Sequence, residues 1–356
     1  SDTDFIKCVQ KLPGKPINYR HDRLLVEYLT YRLKKDNSSW AKNESLRNQL
    51  NNIAFIPVTY RNSPMRKASR NTIYVSEKLS LVSEVAPVLD ESKFRVSYQV
   101  QRFLGIVQDP AVDVVLQQLQ AISSRPENVA KLPSVCQDIY SFLDLRVKIG
   151  DDKDQIQEFF HSPSTKECLL VDKMFRSADH LALEFEEECV GSHLFRVPSN
   201  LRCFGALLST IDMKRRFSTR DFLSTLKCIH DSTSGKLKGR EFGDVMKLLK
   251  CLIKAPSEDP LAMHDVPPND IYVPDSNSYL RTADELSFCD VDWISVPDGV
   301  ITAHGHIPLT WAKILGVRDI RQHILESYSV PVPGLHTLEA QNLLPFGQHE
   351  PLTERI

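Results

Sequence analysis

The sequence lacks an excess of charge of one sign, and it lacks a long apolar run. Its 356 residues carry 44 Lys and Arg against 46 Asp and Glu, which gives a formal net charge of −2. Because a polyanion such as DNA or RNA is held by a positive field, we expect no nucleic-acid partner. No apolar run approaches the roughly 18 to 20 residues that cross a bilayer, so we also expect no membrane insertion.

Paired cysteines are missing as well. The eight cysteines never form a C-x-x-C pair, and most of them stand among apolar neighbours. This pattern predicts reduced thiols and a cytoplasmic location. The sequence starts at Ser1 without Met and stops at Ile356, and we therefore expect a segment of a longer protein.

Motifs of common catalytic classes are also absent. Residues 235–239, GKLKG, lack the G-x-x-x-x-G-K-[ST] order whose backbone amides hold phosphate, and we interpret them as a mobile basic loop. The sequence has no G-x-S-x-G elbow and no H-E-x-x-H helix, so a serine hydrolase or a zincin lacks support. We therefore expect a protein that is not an enzyme and that uses no cofactor.

Three polar clusters are weaker candidates for a metal site or a catalytic site. His304 and His306 could offer two imidazoles to zinc, but no further ligands are apparent, and a polar loop is the favoured interpretation. His180 stands near the acidic run 184–188, whose carboxylates could do acid–base work, yet such clusters on a surface segment are usually solvated. Residues 151–154, DDKD, lack the Gly and Glu of a calcium loop, and we interpret them as a linker beside a helix.

One arrangement occurs three times along the chain. A short apolar run and a polar turn are followed each time by an apolar residue and Arg-x-Ala, which contributes Arg66, Arg176 and Arg281. Residues 172–173 and 275–278 are turn signals, because Asp, Asn and Ser side chains bond their own backbone. The three arrangements are therefore predicted as β-hairpins.

Apolar residues at helical spacing surround the predicted hairpins. Two helices precede each hairpin; Asp109 with Pro110 is expected to start one of them, and Ser218 with Asp221 another.

A short helix follows each hairpin. Gly105 and Gly316 fit left-handed caps at the ends of the first and third short helices. Ser209 is predicted to take that place in the second, where the cap is weaker because its residue carries a Cβ.

The predicted fold class is α+β, with tandem repeats of a helix, helix, β-hairpin and short-helix unit. The units are predicted at residues 1–108, 109–216 and 217–329, and residues 330–356 begin as a Pro-rich linker. Leu226 and Leu248 stand in the apolar stripes of two predicted helices, and we expect both in one core.

The repeated arginines Arg66, Arg176 and Arg281 are candidate interaction or structural residues. A guanidinium after an apolar strand residue can bond the carbonyls at a helix end while its stem packs on the hairpin, which favours a structural role. A binding role requires the three side chains to converge on one face.

The last residues of the chain carry a family resemblance. Residues 344–356, LPFGQHEPLTERI, resemble the signature F-G-Q-x-x-x-L-T-x-R-[IL] that opens the Hsp90-like repeat regions of the sacsin family. The hairpins and helix pairs are similar to the long segments between the ATPase-like domains of these proteins. The resemblance implies that residues 330–356 end at the start of a further Hsp90-like region.

The resemblance also implies a function. Sacsin-family proteins are very large cytosolic chaperones linked to the Hsp70 machinery and to intermediate filaments, so protein partners of these kinds are expected. The Asn-bearing helix that holds ATP in this family would follow Ile356, so no ATP-site residue is assigned. Three hypotheses remain open: a non-catalytic scaffold that spaces ATPase-like domains, a degenerate nucleotide-dependent enzyme, and an adaptor for one partner. Oligomeric state and client identity also stay open.

Overall fold

The computed structural model describes residues 2–13, 17–35, 43–61, 63–67, 72–89, 95–150, 152–254, 265–289, 296 and 298–321. Helices and short strands alternate along these residues, and the predicted α+β class is confirmed. The chain forms two compact units. The first unit is Ser1–Leu183 with Val197–Lys214, and the second is Glu184–Arg196 with Arg215–Ile356. Within the described ranges, no helix combines the length and the apolar character needed to cross a membrane.

The first unit begins with helices and a three-stranded sheet of order β2-β1-β3. Its elements, in chain order, are α1 (Asp2–Gln10), α2 (Tyr19–Lys35), α3 (Glu44–Asn51), β1 (Ile56–Tyr60), β2 (Ser63–Lys67), α4 (Leu79–Val82), β3 (Val88–Leu89) and α5 (Tyr98–Leu104). Apolar residues at helical spacing in α2, such as Leu29 and Leu33, are buried with Leu50 of α3 and Ile56 of β1. One core therefore joins the helices to the first hairpin.

The first unit continues with three longer helices, a hairpin and two short helices. These elements are α6 (Val112–Ser124), α7 (Leu132–Ile149), α8 (Lys153–His161), β4 (Glu167–Val171), β5 (Met174–Ser177), β6 (Leu181–Ala182), α9 (Ser199–Arg202) and α10 (Gly205–Thr210). The buried Tyr140 hydroxyl of α7 donates to the Cys168 carbonyl at 2.8 Å and accepts from the Leu170 N–H at 2.9 Å. It thereby joins helix α7 to strand β4.

The predicted start of α6 is wrong. The helix begins at Val112 after an extended Ala111, and no side chain caps it. Asp109 instead pairs with Lys78 across 3.0 Å. Pro110 and Ala111 remain outside the helix, so the Asp109-Pro110 pair belongs to the segment before α6.

The second unit contains a helix pair, two hairpins and a small parallel sheet. Its elements are β7 (Cys189–Val190), β8 (Leu194–Arg196), α11 (Thr219–Thr233), α12 (Gly239–Ile253), β9 (Tyr272–Pro274), β10 (Leu280–Thr282), β11 (Leu286–Phe288), β12 (Ile301–Thr302), α13 (Leu309–Ile314) and β13 (Arg318–Asp319). The predicted cap of α11 is confirmed: the Ser218 side chain accepts from the Asp221 N–H, and the Asp221 carboxylate accepts from the Ser218 N–H at 2.9 Å. Leu226 and Leu248 are fully buried, as predicted.

The predicted basic loop at residues 235–239 lies against the third hairpin. The Leu237 side chain is buried, and its N–H donates to the Ser278 carbonyl at 2.9 Å. The Leu280 N–H returns a hydrogen bond to Gly235. Backbone hydrogen bonds therefore hold the segment in place, and the expectation of a free loop is wrong.

The three predicted hairpins are present as antiparallel strand pairs. Each places its arginine on the second strand, where Arg66 lies opposite Pro57, Arg176 opposite Leu169 and Arg281 opposite Val273. The pairs are β1–β2, β4–β5 and β9–β10.

Each short helix that follows a hairpin ends in the same hydrogen-bond pattern. A backbone N–H two or three residues beyond the helix end donates to a carbonyl five residues earlier, from Ile106 to Gln101, Met213 to Leu208 and Val317 to Ala312, at 2.9 to 3.0 Å. This is a Schellman motif, which satisfies carbonyls at a helix end.

Each motif also places a residue in the left-handed conformation. Gly105 and Gly316 do so as predicted, with φ of 70° and 80°. In the second helix the residue is Asp212, with φ of 51°, and the prediction of Ser209 is wrong. Helix α10 continues through Thr210, while the apolar segment that precedes it is interrupted between α9 and α10.

Beyond each Schellman motif, the chain forms a parallel bridge with a residue that follows the hairpin. The pairs are Tyr74 with Val107, Ala182 with Lys214, and Ser287 with Arg318. In all three predicted repeats, the chain after the short helix therefore pairs with the segment that follows the hairpin of the same repeat.

The two compact units do not coincide with the three predicted repeats. The first unit contains residues 1–108 and most of 109–216, whereas the described part of 217–329 lies in the second unit. Residues 330–356, with their family signature, lie outside the described residues. The three predicted boundaries stay predictions.

Candidate functional site

Arg66 forms a buried ion pair with a carboxylate. Its Nη2 lies 2.9 Å from Asp22 Oδ1 and 3.0 Å from Oδ2, and the two side chains are 5% and 0% exposed. Asp22 stands in the first turn of α2, where the helix dipole also favours a negative charge. Arg66 therefore joins the second strand of the first hairpin to helix α2.

Arg281 forms a more open ion pair inside the third hairpin. Its Nε donates to Asp275 Oδ2 at 2.9 Å, with side chains 38% and 1% exposed. Asp275 Oδ1 accepts from the Asn277 and Tyr279 N–H groups at 2.8 Å, so the carboxylate organises the turn. Half-buried Arg176 lies on β5. Its charge adds to burial, the larger cause, in lowering the pKa of His180.

The acidic run 184–188 lies at the surface, as expected, with glutamate side chains 27% to 89% exposed, and its carboxylates also form ion pairs. Glu184 lies between two guanidinium groups, with its Oε1 2.8 Å from Arg215 Nε and its Oε2 2.7 Å from Arg216. Hydrogen bonds from both arginines lower the pKa of Glu184. The following carboxylates pair in the same way: Glu186 with Lys254, Glu187 with Lys250, and Glu188 with Arg196.

Phe185 points away from this charged surface and forms the floor of a pocket in the second unit. Its ring lies 5.0 Å from Phe217, edge to face, and 6.5 Å from Phe222. The phenylalanine pocket, as we name it, has a volume of about 450 Å³, and Cys251 of α12 contributes to its wall. Burial raises the pKa of the Cys251 thiol to about 11, with Glu187 and Glu186 adding to the effect.

The rim of the phenylalanine pocket is charged. Arg216 and Glu184 form one side, and Lys254 and Glu186 contribute the other pair. An apolar floor below charged groups can bury an apolar side chain of a partner while the rim meets its polar neighbours. The sequence analysis missed this site, although Phe185 within a run of glutamates is a signal that one side chain points inward.

The remaining polar clusters do not assemble a metal centre. His304 and His306 place their Nδ1 atoms 3.2 Å apart, and His304 packs on the ring of Phe242 at 4.5 Å. Burial and the neighbouring His306 lower the pKa of His304. In the ranges that the structure describes, no group of three or more His, Cys, Asp and Glu side chains is placed to hold a metal ion.

The linker predicted around residues 151–154 flanks a helix. Asp152 precedes the first residue of α8, and its Oδ2 accepts from Arg146 Nε at 2.6 Å. Asp151 lies outside the described residues.

Comparison with known proteins gives one distant relationship. The chain is 24% identical to human sacsin over 304 residues, which cover 80% of this chain and 6% of sacsin. No protein-family profile and no solved structure matches the chain. The chain is therefore distantly similar to a small part of a much longer protein, and the predicted resemblance to sacsin is confirmed at this coarse level.

Proposed function

We propose that this chain is a non-catalytic scaffold and interaction segment of a large cytosolic, sacsin-like chaperone. In this proposal it spaces and orients Hsp90-like ATPase domains and offers surface to partner proteins. The similarity to human sacsin along 80% of the chain carries the proposal. Hsp70 machinery and intermediate-filament clients are the partners that the resemblance implies.

The recurring backbone pattern supports tandem units as the basis of the spacing role. In each predicted repeat, one residue after the short helix makes the parallel pairing. These residues are Val107, Lys214 and Arg318, and they follow one another at intervals of 107 and 104 residues. Each closes a sequence of helices, hairpin and short capped helix. Units that bury their own cores and recur at near-constant length are suited to hold other domains at fixed separations.

The engagement of charged side chains supports a structural role over catalysis. Asp22 is bound to Arg66, Asp275 to Arg281, and Glu184 to two arginines. Carboxylates already engaged by guanidinium groups in this way join parts of the fold to one another.

Free thiols support the cytoplasmic location. All eight cysteines are unbridged, and burial raises the pKa of Cys136 to about 12 and that of Cys168 to about 11. Thiols persist in this state in a reducing compartment.

Titration with ATP and Mg²⁺ tests the non-catalytic assignment. We expect no binding heat from the 356-residue chain at ATP concentrations up to about 1 mM, since its sequence carries no nucleotide-binding motif. An Hsp90 ATPase domain serves as the positive control. Binding at micromolar affinity would contradict the proposal and favour the degenerate nucleotide-dependent enzyme.

A further inference from the structure

We propose that β5, the second strand of the second hairpin, is an open sheet edge that binds an extended segment of a partner protein by strand addition. The partner segment presents a glycine, an apolar residue and an aliphatic residue in succession. The inference rests on the proposed interaction role and names the kind of partner. Its template lies in the chain itself, at the third hairpin.

The third hairpin has its corresponding edge filled. Residues 235–237 form an antiparallel bridge to Tyr279, just before β10. The Leu280 N–H donates to the carbonyl of the first residue of this segment at 2.6 Å, and the Leu237 N–H donates to the Ser278 carbonyl at 2.9 Å. The Leu237 side chain is buried, so two hydrogen bonds and one apolar contact hold the added segment.

The second hairpin presents the same backbone geometry. In both hairpins the residue three positions before the repeated arginine is left-handed, Lys173 with φ of 70° and Ser278 with φ of 63°. Leu170 and Phe175 lie opposite each other, and the Leu170 N–H points away from β5 to a tyrosine hydroxyl of α7 at 2.9 Å. Opposite residues of an antiparallel pair point their N–H groups both inward or both outward. The Phe175 N–H therefore points outward, as that of Leu280 does.

This edge of β5 is open among the described residues. Strands β4 and β5 form a two-stranded sheet, and no bridge joins the outer side of β5 to another described segment. The connection between α6 and α7 has the place that residues 235–237 have between α11 and α12, but it forms a short 3₁₀ helix at Pro126–Asn128. A cavity of about 530 Å³ has lining residues from both this connection and β5, including Ser124, Pro126, Met174 and Phe175.

The edge selects an apolar segment. The partner residue opposite Met174 takes the place of Lys236, whose ammonium lies 5.3 Å from the Tyr279 ring. Because Met174 is uncharged and 57% exposed, an apolar residue opposite it buries its thioether better than a lysine does. The next residue takes the place of Leu237 and points to the opposite face, which it shares with Phe175. An aliphatic side chain is favoured there.

Glycine suits the first position of the segment. Gly235 has a φ of 81°, and a Cβ at this residue would lie 3.4 Å from the Leu280 carbonyl oxygen. A partner segment that copies this geometry beside Phe175 therefore has glycine at the residue that accepts the hydrogen bond.

A peptide titration followed by NMR tests the inference. The probe is acetyl-Ser-Thr-Ser-Gly-Ile-Leu-Lys-Gly-amide, which copies residues 232–239 with isoleucine in place of Lys236. The 356-residue chain is isotope-labelled at its phenylalanine nitrogens, and the Phe175 amide is assigned by the signal that Phe175→Leu removes. We expect a saturable downfield shift of this amide proton, because the peptide carbonyl accepts its hydrogen bond. Half-saturation is expected at about 1 mM peptide or below.

A peptide control isolates the strand pairing. N-methylleucine in place of the probe's leucine keeps the aliphatic side chain and removes the N–H that pairs with the Lys173 carbonyl. It should bind at least about fivefold more weakly. The peptide with the original lysine in place of isoleucine should also bind more weakly, by at least about threefold, because the lysine meets Met174.

A variant of the chain locates the site. Met174→Lys places a charge on the strand edge and should weaken binding of the probe at least about fivefold. Leu145→Lys makes the same change at an apolar residue of the same unit that is 56% exposed, and it should alter affinity by less than about twofold. Thermal unfolding of both variants identifies any loss of folding. The N-methylated peptide decides the outcome on the unaltered chain if Met174→Lys fails to fold.

Four results would overturn the inference. They are no shift of the Phe175 amide at about 5 mM peptide, equal affinity for the N-methylated peptide, unchanged affinity in Met174→Lys, and a dimer in light scattering that Met174→Lys disrupts. The last result would assign the edge to a second copy of the chain. A silent ATP titration together with a failed peptide titration would reject the open edge alone, whereas ATP binding would reject the non-catalytic function.

Discussion

Removal of the Asp22 carboxylate should destabilise the first unit strongly. At 2.9 Å and an effective dielectric constant of about 20, its attraction to Arg66 is about 6 kcal/mol. Desolvation of the two buried groups offsets part of this energy in the folded protein. In Asp22→Ala the guanidinium stays buried without its counter-charge, so we expect a loss of about 3 to 5 kcal/mol in the free energy of unfolding.

Hydrogen exchange followed by mass spectrometry measures this loss in each unit separately. Amides of α2 and β1 should exchange roughly a hundred to a few thousand times faster in Asp22→Ala if the whole unit opens, at about 1.4 kcal/mol for each factor of ten. Amides of α11 and α12, in the second unit, are the internal reference. Arg281→Met is the matched control at an ion pair whose arginine is 38% exposed. It should cost only about 1 kcal/mol, since Asp275 keeps two backbone N–H donors.

A double variant separates the ion pair from other effects. Asp22→Leu combined with Arg66→Met removes both charges and should recover most of the stability that Asp22→Ala loses, because no buried charge is left unpaired. A loss below about 1 kcal/mol in Asp22→Ala would refute the buried pair. A double variant no more stable than the single one would show that the charge is not the cause.

Three further predictions concern packing, thiol chemistry and a helix end. Leu248→Ala should cost about 2 to 5 kcal/mol in urea unfolding, because the side chain is fully buried. The pKa of the Cys136 thiol is about 12, so at about pH 8 iodoacetamide should modify it far more slowly than the exposed Cys203. The Cys136 rate should rise with pH as the thiolate forms; equal rates at both sites by mass spectrometry would contradict its burial. Gly316→Ala should lower the melting temperature more than Gly150→Ala. Both glycines have positive φ, but a Cβ at Gly316 would lie 2.7 Å from the Pro268 side chain, whereas Gly150 faces open space.

The helices and hairpins could be predicted because each carries a sequence pattern, of apolar spacing or turn residues, that is long enough to recognise. Helix α11 shows both an apolar stripe and a side-chain cap at Ser218, two independent signals that agree. The hairpins combine apolar runs with turn residues, and the turn at Asp172 and Lys173 adopts the left-handed conformation at both positions. Such signals are local, so they are visible without knowledge of the tertiary structure.

The parallel pairings and the pocket could not be predicted because their partners are distant in sequence. Strand β13 has two residues, too few to show an alternating pattern, and its partner β11 lies about thirty residues earlier. The phenylalanine pocket joins Phe185 to Phe217 and Phe222 across similar separations. Asp109 shows the converse problem: its local cap signal misleads, because the helix begins three residues later, after an extended Ala111, and Asp109 pairs with Lys78 instead.

The order in which the chain builds its two compact units determines how it can be divided experimentally. Residues 184–196 belong to the second unit, although the first unit resumes at Val197 and continues to Lys214. A fragment cut between residues 216 and 217 would lose Phe185 and the β7–β8 hairpin that contacts α12. Its Phe217 and Phe222 rings would then face water and promote aggregation. Neither unit is a continuous stretch of sequence that ordinary truncation can isolate; a soluble version of the second unit requires residues 184–196 to be supplied as a fused or co-expressed peptide.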